Sequence, residues 1–283
     1  MMSLERFIEL RGAERDWAQV NGFNNWDPET NGAMALIAAC TPSFDWFFDI
    51  GAGRGTYAAR VTSIQPDAQL SVFEPNGVLI PALRSQFPRG DVRAAALSDR
   101  SGEMDLFVPE KHRQSASLHR RTHIFDAQDN RVRTVRTSVR TLDSFDFPIK
   151  DRSIFLRAGV NGHEARVLRG AAKTLSSSAK TGILFSHSSA WLEIEESLLG
   201  ILVWLNENGF GLYRVLPYGL ERLSAYVTDM ERAHFCHYAA FRNFGIDEAA
   251  GWMDIATPSG QSGLLTFDAI LNAAKLAPMR SGG

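Results

Sequence analysis

Three closely spaced glycines follow a short apolar run and form the part of the chain best suited to hold a ligand. They are Gly51, Gly53 and Gly55, within the sequence Asp49-Ile50-Gly51-Ala52-Gly53-Arg54-Gly55. A glycine has no side chain, so the backbone can approach a bound molecule closely. The apolar run predicts a strand and the residues after the turn predict a helix, the setting in which α/β proteins bind nucleotides. A turn that serves packing alone remains an alternative.

A carboxylate stands where a nucleoside ligand would need one. Glu74 closes the next predicted strand, 21 positions after Gly53, and can accept hydrogen bonds from the two hydroxyls of a ribose. Dinucleotide-binding turns usually have the wider Gly-x-Gly-x-x-Gly spacing, whereas this turn is Gly-x-Gly-x-Gly and is preceded by Asp49. An acid beside the turn suits a ligand that carries an ammonium and a sulfonium group and no phosphate. The residues therefore favour S-adenosylmethionine (SAM) over a dinucleotide.

Strand-like and helix-like segments alternate around these residues, which predicts an α/β fold with a mostly parallel central sheet flanked by helices. The predicted strands are 46–50, 69–74, 92–96, 153–158 and 182–187, and the predicted helices are 56–64, 78–87, 163–175 and 194–208. Two later runs, 211–216 and 235–242, are predicted to form a closing antiparallel pair. The carboxyl ends of the parallel strands are where ligands and chemistry are expected.

Composition indicates an ordinary globular protein, with 45% hydrophobic and 22% charged residues among 283. We expect an N-terminal helical extension at 1–43, a SAM-binding domain at 44–245 with an insertion at 104–140, and a C-terminal tail at 246–283. The net charge of -2 gives no support to nucleic-acid binding, and two cysteines exclude a disulfide framework. No apolar run is long enough to cross a membrane, so a cytoplasmic setting is expected. Nothing specifies an oligomeric state.

Six short blocks occur along the chain in an order found in one family of enzymes. They are Asp49-Ile50-Gly51-Ala52, Phe73-Glu74-Pro75-Asn76, Ala96-Leu97-Ser98-Asp99, Ser115-Ala116-Ser117-Leu118, Arg140-Thr141-Leu142-Asp143-Ser144, and Glu164 with Val167-Leu168-Arg169-Gly170-Ala171. In this order they resemble the FkbM-type family of SAM-dependent O-methyltransferases, and they span about half of the chain. The resemblance implies a class I methyltransferase fold, SAM as cofactor, and a hydroxyl of a sugar-containing or secondary-metabolite molecule as acceptor.

The resemblance also assigns cofactor-binding roles by position. The methionine end of SAM would be lined by the glycine turn, the ribose would be held by Glu74, and the adenine would be bordered by the block after the third strand. The residues concerned are Asp49, Gly51, Ala52, Gly53, Gly55, Glu74, Pro75, Ala96, Leu97 and Ser98.

The tip of the fourth parallel strand departs from the family pattern. The usual block there is Lys-Ile-Asp-Val-Glu-Gly-x-Glu, and this chain has Arg157-Ala158-Gly159-Val160-Asn161-Gly162-His163-Glu164. Gly159 and Asn161 thus replace two acids, and Ser186 replaces a glutamate on the next strand. Two interpretations remain open: a site rebuilt for a charged acceptor, and a protein that binds SAM or S-adenosylhomocysteine (SAH) without catalysis. A weaker third is another transfer, such as N-methylation.

Methyl transfer to a hydroxyl needs an aligned acceptor and a base for its proton. The candidate catalytic residues are His187 and His163, as alternative bases, and Glu164, which is retained from the family pattern. An unperturbed histidine titrates near pH ~6.5 and suits this role. The alternative is that each histidine is an ordinary loop residue, and that Glu164 only favours the start of its helix.

The insertion is strongly basic, which suits an anionic acceptor such as a sugar nucleotide, glycolipid or natural product. Its basic residues are Lys111, Arg113, Arg120, Arg121, Arg131, Arg133, Arg136 and Arg140, with His112, His119 and His123, against Asp126 and Asp129. The alternative is a solvated loop whose charges pair with acids elsewhere.

Two further groups of residues carry weaker signals. Trp17, Trp26 and Tyr57 could cover the ligand, although aromatic residues near a helix usually belong to the core. The composition of His234, Cys236 and His237 resembles a metal cluster. Strand alternation, however, places His237 on the opposite face from the other two, so no metal site is predicted.

Overall fold

A computed structural model describes residues 26–111, 115–120, 131–216, 219–223, 225–226, 230–231, 235–244, 253–255 and 265–266. Several predictions concern other residues and lie outside the described ones. They are the extension before Trp26 with Trp17, the insertion residues His112, Arg113, Arg121, His123, Asp126 and Asp129, the histidine at 234, and most of the tail. The domain boundaries drawn from the sequence stay predictions.

Helices and strands alternate through the first half of the chain, as the apolar pattern predicts. The helices are α1 Ala33–Cys40, α2 Thr56–Ile64, α3 Ile80–Gln86, α4 Glu164–Arg169, α5 Ala172–Ser177 and α6 Leu198–Glu207. Short 3-10 turns cover Thr41–Ser43, Leu142–Phe145 and Ser189–Ile194. The first eight strands are β1 Trp46–Ile50, β2 Gln69–Phe73, β3 Asp91–Arg93, β4 Ala96–Leu97, β5 Gly102–Pro109, β6 Val132–Arg140, β7 Ser153–Ala158 and β8 Lys180–His187. The remaining six are β9 Gly211–Leu216, β10 Gly219–Arg222, β11 Ala225–Tyr226, β12 Cys236–Arg242, β13 Met253–Ile255 and β14 Leu265–Thr266.

A central sheet of nine strands runs in the order β13-β10-β9-β12-β8-β7-β1-β2-β3. The strands from β3 to β8 in this order are parallel, and β12 lies antiparallel between β8 and β9. The α/β class with a mostly parallel sheet and a closing antiparallel pair is therefore confirmed. Strand order reverses at β1, with β2 on one side and β7 on the other, and a crevice is expected at the carboxyl ends of these strands.

The centre of the sheet is buried on both faces because helices cover both. Phe47 and Phe48 of β1 point to opposite faces, and each is fully buried in a different apolar cluster. Burying a phenylalanine contributes about 1.5–3 kcal/mol. The buried phenylalanines of β1 thus anchor the strand from whose end the glycine turn leaves the sheet.

Two predicted elements are divided in the structure. The predicted strand 92–96 becomes β3 and β4, because β4 pairs with β6 of the insertion and not with the central sheet. The predicted helix 163–175 becomes α4 and α5. The break falls at Gly170, whose missing side chain leaves room for Ser98 O. Asp143 then begins α5 by accepting hydrogen bonds from Lys173 N at 2.9 Å and Thr174 N at 2.8 Å.

The insertion forms a second sheet, β4-β6-β5, in which β5 and β6 pair antiparallel over their length. Ser117 bridges to Phe107 of β5, so the segment 115–120 lies along this small sheet. Across the part of the chain that the structure describes, no helix has the length and apolar character needed to cross a membrane.

Candidate functional site

The glycine turn leaves β1 in a backbone conformation that side chains disfavour. Gly51, Gly53 and Gly55 have φ values of 73°, 57° and 77°, all in the left-handed region. A Cβ on Gly51 would overlap Gly159 O, and a Cβ on Gly55 would lie 2.6 Å from Phe87. Close contact between the tips of β1 and β7 therefore requires glycine at position 51.

Glu74 is fixed against this turn from the end of β2. Its Oε2 accepts a hydrogen bond from Gly53 N at 2.8 Å, and its Oε1 accepts one from Asn76 N at 2.8 Å. The side chain is buried, and burial raises the pKa of its carboxyl to about 7 although both backbone hydrogen bonds lower it. The carboxyl is thus held at the cleft edge in one orientation.

A small cleft of about 30 Å³, hereafter the small cleft, opens beside Glu74. Its walls include Pro75 after β2, Ala96 and Leu97 of β4, and Leu106 and Leu118 from the insertion. Four of the predicted ribose and adenine residues, Glu74, Pro75, Ala96 and Leu97, line it, while Ser98 does not. The chain brings together apolar walls and one oriented carboxyl, which are suited to a base and a ribose.

A second cleft of about 610 Å³, hereafter the large cleft, adjoins the small one. The two share Gly51, Gly159 and Asn161 as lining residues. Ala52 and Gly53 line the large cleft, whereas Gly55 and Asp49 line neither. The charged residues among its described lining are Arg54 and Arg157, with no carboxylate. Of the predicted aromatic cover, Trp26 and Tyr57 line this cleft, and Trp26 stacks on Phe235 at 4.0 Å.

Asp49 lies behind the cleft wall and is engaged by the protein itself. It has no exposed surface; Oδ2 accepts from Ala58 N at 3.3 Å and Oδ1 from Arg157 Nη1 at 3.2 Å. Burial raises the pKa of its carboxyl, and the guanidinium opposes that rise. Arg157 Nη1 also donates to Gly51 O at 2.8 Å, and its guanidinium lies 4.4 Å from the centre of the Tyr57 ring. Arg157, unlike Asp49, lines the large cleft.

Each of the three family acids that this chain lacks has a structural replacement. A Cβ at Gly159 would overlap Arg157 Nη2, so the guanidinium occupies the space of that side chain. Asn161 has φ 57°, which asparagine tolerates better than most residues, and its Nδ2 donates to Ala116 O at 3.0 Å. A glutamate carboxylate has no proton with which to make that bond.

Ser186 and Glu164 form a fully hydrogen-bonded pair behind the strand tip. Glu164 Oε1 accepts from Ser186 Oγ at 2.7 Å and Val160 N at 3.0 Å. Its Oε2 accepts from Gly162 N at 2.9 Å and Trp191 Nε1 at 3.0 Å. The serine hydroxyl supplies a proton to its hydrogen bond with this carboxylate, whereas an ionised glutamate at position 186 would have none to give. Glu164 is buried and lines neither cleft, so its geometry favours a positioning role over the predicted catalytic one.

The two predicted bases lie outside both clefts. His163 is buried, with Nε2 2.8 Å from Ser98 Oγ and Nδ1 2.6 Å from His119 Nε2. Burial, and then the neighbouring His119, lower its pKa to about 3. His187 is fully buried on the face of β8 opposite to Ser186, packs edge-on against Trp191, and lies 3.6 Å from Glu231 Oε2. Their catalytic roles stay predictions that this geometry does not favour.

Among the described residues that line the large cleft, His237 is the one histidine. It pairs with Ser186 across β12 and β8 and packs edge-on against Phe235, with ring centres 4.9 Å apart. Its Nδ1 is buried and has no hydrogen-bond partner among the described residues. Burial, followed by the charge of Arg157, lowers its pKa to about 3, so the ring is neutral at pH 7.

The alternation of side chains along β12 indicates which face of the sheet His237 occupies. Strand alternation separates His237 from Cys236, and Cys236 lies opposite His187 in the register. The next pair, His237 with Ser186, must then face the other side of the sheet, which is the cleft side. The described residues contain no group of three or more His, Cys, Asp or Glu side chains that could hold a metal ion.

The basic residues of the insertion that the structure describes line neither cleft. Arg136 instead forms exposed ion pairs with Glu103 at 3.4 Å and Asp105 at 3.2 Å. Arg140 lies over the Phe145 ring, 5.0 Å from its centre. For these two residues the geometry favours the second interpretation, a solvated surface whose charges are paired within the protein. Among the described residues of the insertion, Ser115 alone lines the large cleft.

Comparison with known structures finds methyltransferases of low similarity. The methyltransferase FkbM of Methylobacillus flagellatus KT is 14% identical, with a TM-score of 0.40, over 70% of this chain and 44% of its own. The precorrin-6y C5,15-methyltransferase of Geobacter metallireducens GS-15 is 12% identical, with a TM-score of 0.39, over 74% and 86%. The plantazolicin methyltransferase BpumL, in complex with a triazolic desmethylPZN analog and SAH, is 9% identical, with a TM-score of 0.44, over 82% and 90%. Likenesses this low add nothing to the assignment, and the chain spans less than half of the Methylobacillus protein.

A family profile identifies the chain more clearly than the known structures do. No curated protein sequence matches the chain. The profile of the methyltransferase FkbM domain, in contrast, matches residues 49–212, from the strand that carries the glycine turn to the first closing antiparallel strand. Because this match covers more than half of the sequence, the chain belongs to the FkbM methyltransferase family.

Proposed function

We propose that the protein transfers a methyl group from SAM to a hydroxyl of a sugar-containing or secondary-metabolite acceptor. The observation that carries this proposal is the meeting of two clefts at Gly51 and Gly159. One cleft holds an oriented carboxyl and apolar walls for adenosine. The other is about 610 Å³ and provides room for the methionine part of SAM and an acceptor.

The residues of the small cleft fit the chemistry of SAM. Glu74 would hold the ribose, Ala96 and Leu97 would border the adenine, and the backbone at Gly51 and Gly53 would pass close to the sulfur. Bound SAM would supply an activated methyl group, so the protein has to align the acceptor and take one proton.

His237 is the residue of the large cleft best placed to take that proton. Its ring is neutral at pH 7 and its Nδ1 makes no hydrogen bond to the described residues. His163 and His187, in contrast, are enclosed by protein and line neither cleft. The absence of carboxylates from the described lining, with Arg54 present, favours an acceptor that carries negative charge.

The second candidate function is binding of SAM or SAH without catalysis. The observation in its favour is that all three missing acids have structural replacements, which leaves no carboxylate base among the described lining residues. A histidine with a pKa of about 3 is also a weak base until a ligand changes its surroundings. An activity measurement decides between the two.

The test joins titration calorimetry to a transfer assay. Wild-type protein is expected to bind SAM and SAH, and Glu74→Gln to bind them at least about ten-fold more weakly because a ribose acceptor loses its charge. The matched control is Glu103→Gln, which changes an exposed glutamate outside both clefts. Transfer from labelled SAM is then measured to sugar nucleotides and to the same sugars without phosphate.

Transfer by His237→Gln is expected to fall about 100-fold with SAH affinity retained. His119→Gln, which changes an imidazole outside both clefts, is the control. Binding of SAM without transfer to any acceptor would support the non-catalytic alternative. No binding by wild-type protein would contradict both candidate functions.

A further inference from the structure

The guanidinium of Arg157 lies at the junction of the two clefts. Nη1 donates to Gly51 O at 2.8 Å, and Nη2 lies where a Cβ of Gly159 would be. Gly51 and Gly159 are lining residues of both clefts. The side chain of Arg157 is 13% exposed, so it is held by protein and still reaches the cleft.

The hydrogen bonds that tie Arg157 to the glycine turn come from one end of its guanidinium. Nη1 makes the bonds to Asp49 Oδ1 and Gly51 O. The guanidinium also lies beside the Tyr57 ring, 4.4 Å from its centre. Because guanidinium presents its donors as a planar fork, the edge formed by Nε and Nη2 matches the two oxygens of a carboxylate.

The charges around the junction select an anion at this point. The carboxylate of Asp49 has no exposed surface, so the group that faces a ligand is the cation of the pair. The absence of a side chain at Gly159 leaves Nη2 without an intramolecular acid to bind. A ligand with adenosine in the small cleft has to extend past Gly51 and Gly159, so its next segment comes to lie beside Arg157.

We propose that Arg157 binds the α-carboxylate of the amino-acid part of SAM and SAH, with Asp49 and Tyr57 as positioning residues for the guanidinium. The inference rests on the proposed function, since it requires the adenosine part to occupy the small cleft. Arg157 would then be the residue that discriminates between adenosyl ligands with and without a carboxylate. The ammonium of the ligand is directed away from the guanidinium by charge repulsion.

The test measures affinity by calorimetry for three ligands that differ at the relevant group. SAH has an ammonium and a carboxylate, decarboxylated SAH retains only the ammonium, and 5′-methylthioadenosine has neither. Wild-type protein is expected to bind SAH about 10- to 100-fold more tightly than decarboxylated SAH. Arg157→Met should abolish this difference and leave 5′-methylthioadenosine affinity unchanged, and Arg157→Lys should retain part of it.

Two further variants keep the test decisive. Arg60→Met removes an arginine that pairs with Glu29 on the surface of α2, and should behave as wild type. If Arg157→Met fails to fold because Asp49 loses its counter-ion, the double variant Asp49→Asn with Arg157→Met removes both charges and is used instead.

The outcomes separate the inference from the function on which it rests. Equal affinity of wild-type protein for SAH and decarboxylated SAH overturns the inference while the proposed function stands. A variant that weakens all three ligands equally also overturns it, because Arg157 then acts only on the fold. Failure of wild-type protein to bind any of the three overturns the proposed function as well.

Discussion

The small cleft and the large cleft are built in different ways, although they share three residues. The polar part of the small cleft is one carboxyl, Glu74, which two backbone N–H groups hold in place, and its apolar walls come from strand ends and the insertion. The large cleft takes its polar side chains from distant parts of the chain, with Trp26 before α1, Arg157 on β7 and His237 on β12. A carboxyl held by the glycine turn can be recognised from a sequence motif, whereas side chains brought together from distant elements depend on the tertiary structure.

The largest effect is expected where the two clefts meet. Gly51→Ala places a side chain at φ 73° and against Gly159 O, so the tips of β1 and β7 must separate. We expect the free energy of unfolding to fall by about 3 kcal/mol, and SAH binding to be lost. Urea unfolding and calorimetry measure the two effects. Gly77→Ala is the control, because a Cβ there meets nothing within 4 Å. Equal effects of both changes would show that the junction tolerates a side chain.

A pH-dependent contribution to stability is expected from Glu74, opposite in sign to that of His163 and His237, whose pKa values are lowered. Burial raises the pKa of Glu74 to about 7 from 4.5, so its carboxyl binds more protons in the folded state than in the unfolded state between these values. The contribution of Glu74 to the free energy of unfolding should therefore decrease as pH rises through this window, by on the order of 3 kcal/mol. Glu74→Gln removes the titrating group, so the difference in stability between wild type and this variant should carry that decrease.

Urea unfolding of wild type, Glu74→Gln and the exposed control Glu103→Gln, from pH 4 to pH 8, checks the prediction. The control should follow the wild-type profile. Identical profiles for all three proteins would mean that Glu74 is ionised in the fold at pH values well below 7.

The smallest effect is expected at the tie between the insertion and the strand tip. Asn161→Gly keeps the left-handed backbone but removes the hydrogen bond from Nδ2 to Ala116 O, at a cost of about 1 kcal/mol. Amide hydrogen exchange in the segment 115–120 should become faster, with β1 and β7 unchanged. Asn161→Ala, the comparison variant, also introduces backbone strain and should be less stable. Unchanged exchange in both variants would show that other contacts hold the segment.

The fold was largely predictable from the sequence because the spacing of apolar residues and the residues that form turns are local properties. The bounds of β1, α2 and β7 agree with the predicted ones. The predicted helix 163–175 was wrong as a single helix because its break depends on the approach of Ser98, which is distant in sequence, to Gly170. Pattern alone contains no information about that contact.

The lining of the small cleft was in part predictable from the sequence, whereas the place of His237 in the large cleft was not. The positions of Glu74 and Leu97 at the small cleft follow from the order of the strands. Placing His237 at the cleft instead of His187 requires knowledge of which face of β8 lines the cleft, and that depends on the pairing of β8 with β12. The reasons for the three absent acids likewise lie in contacts between distant residues, such as Asn161 with Ala116.

The bond pattern around Asn161 also bears on chemical ageing. Asn161 is followed by Gly162, a pair in which the side-chain amide is readily lost when the next backbone nitrogen attacks it. In the fold, Gly162 N donates to Glu164 Oε2 and Asn161 Nδ2 donates to Ala116 O, so neither partner is free for that reaction. Protein stored under conditions that open this turn would deamidate there and acquire a carboxylate at a position where the family has one.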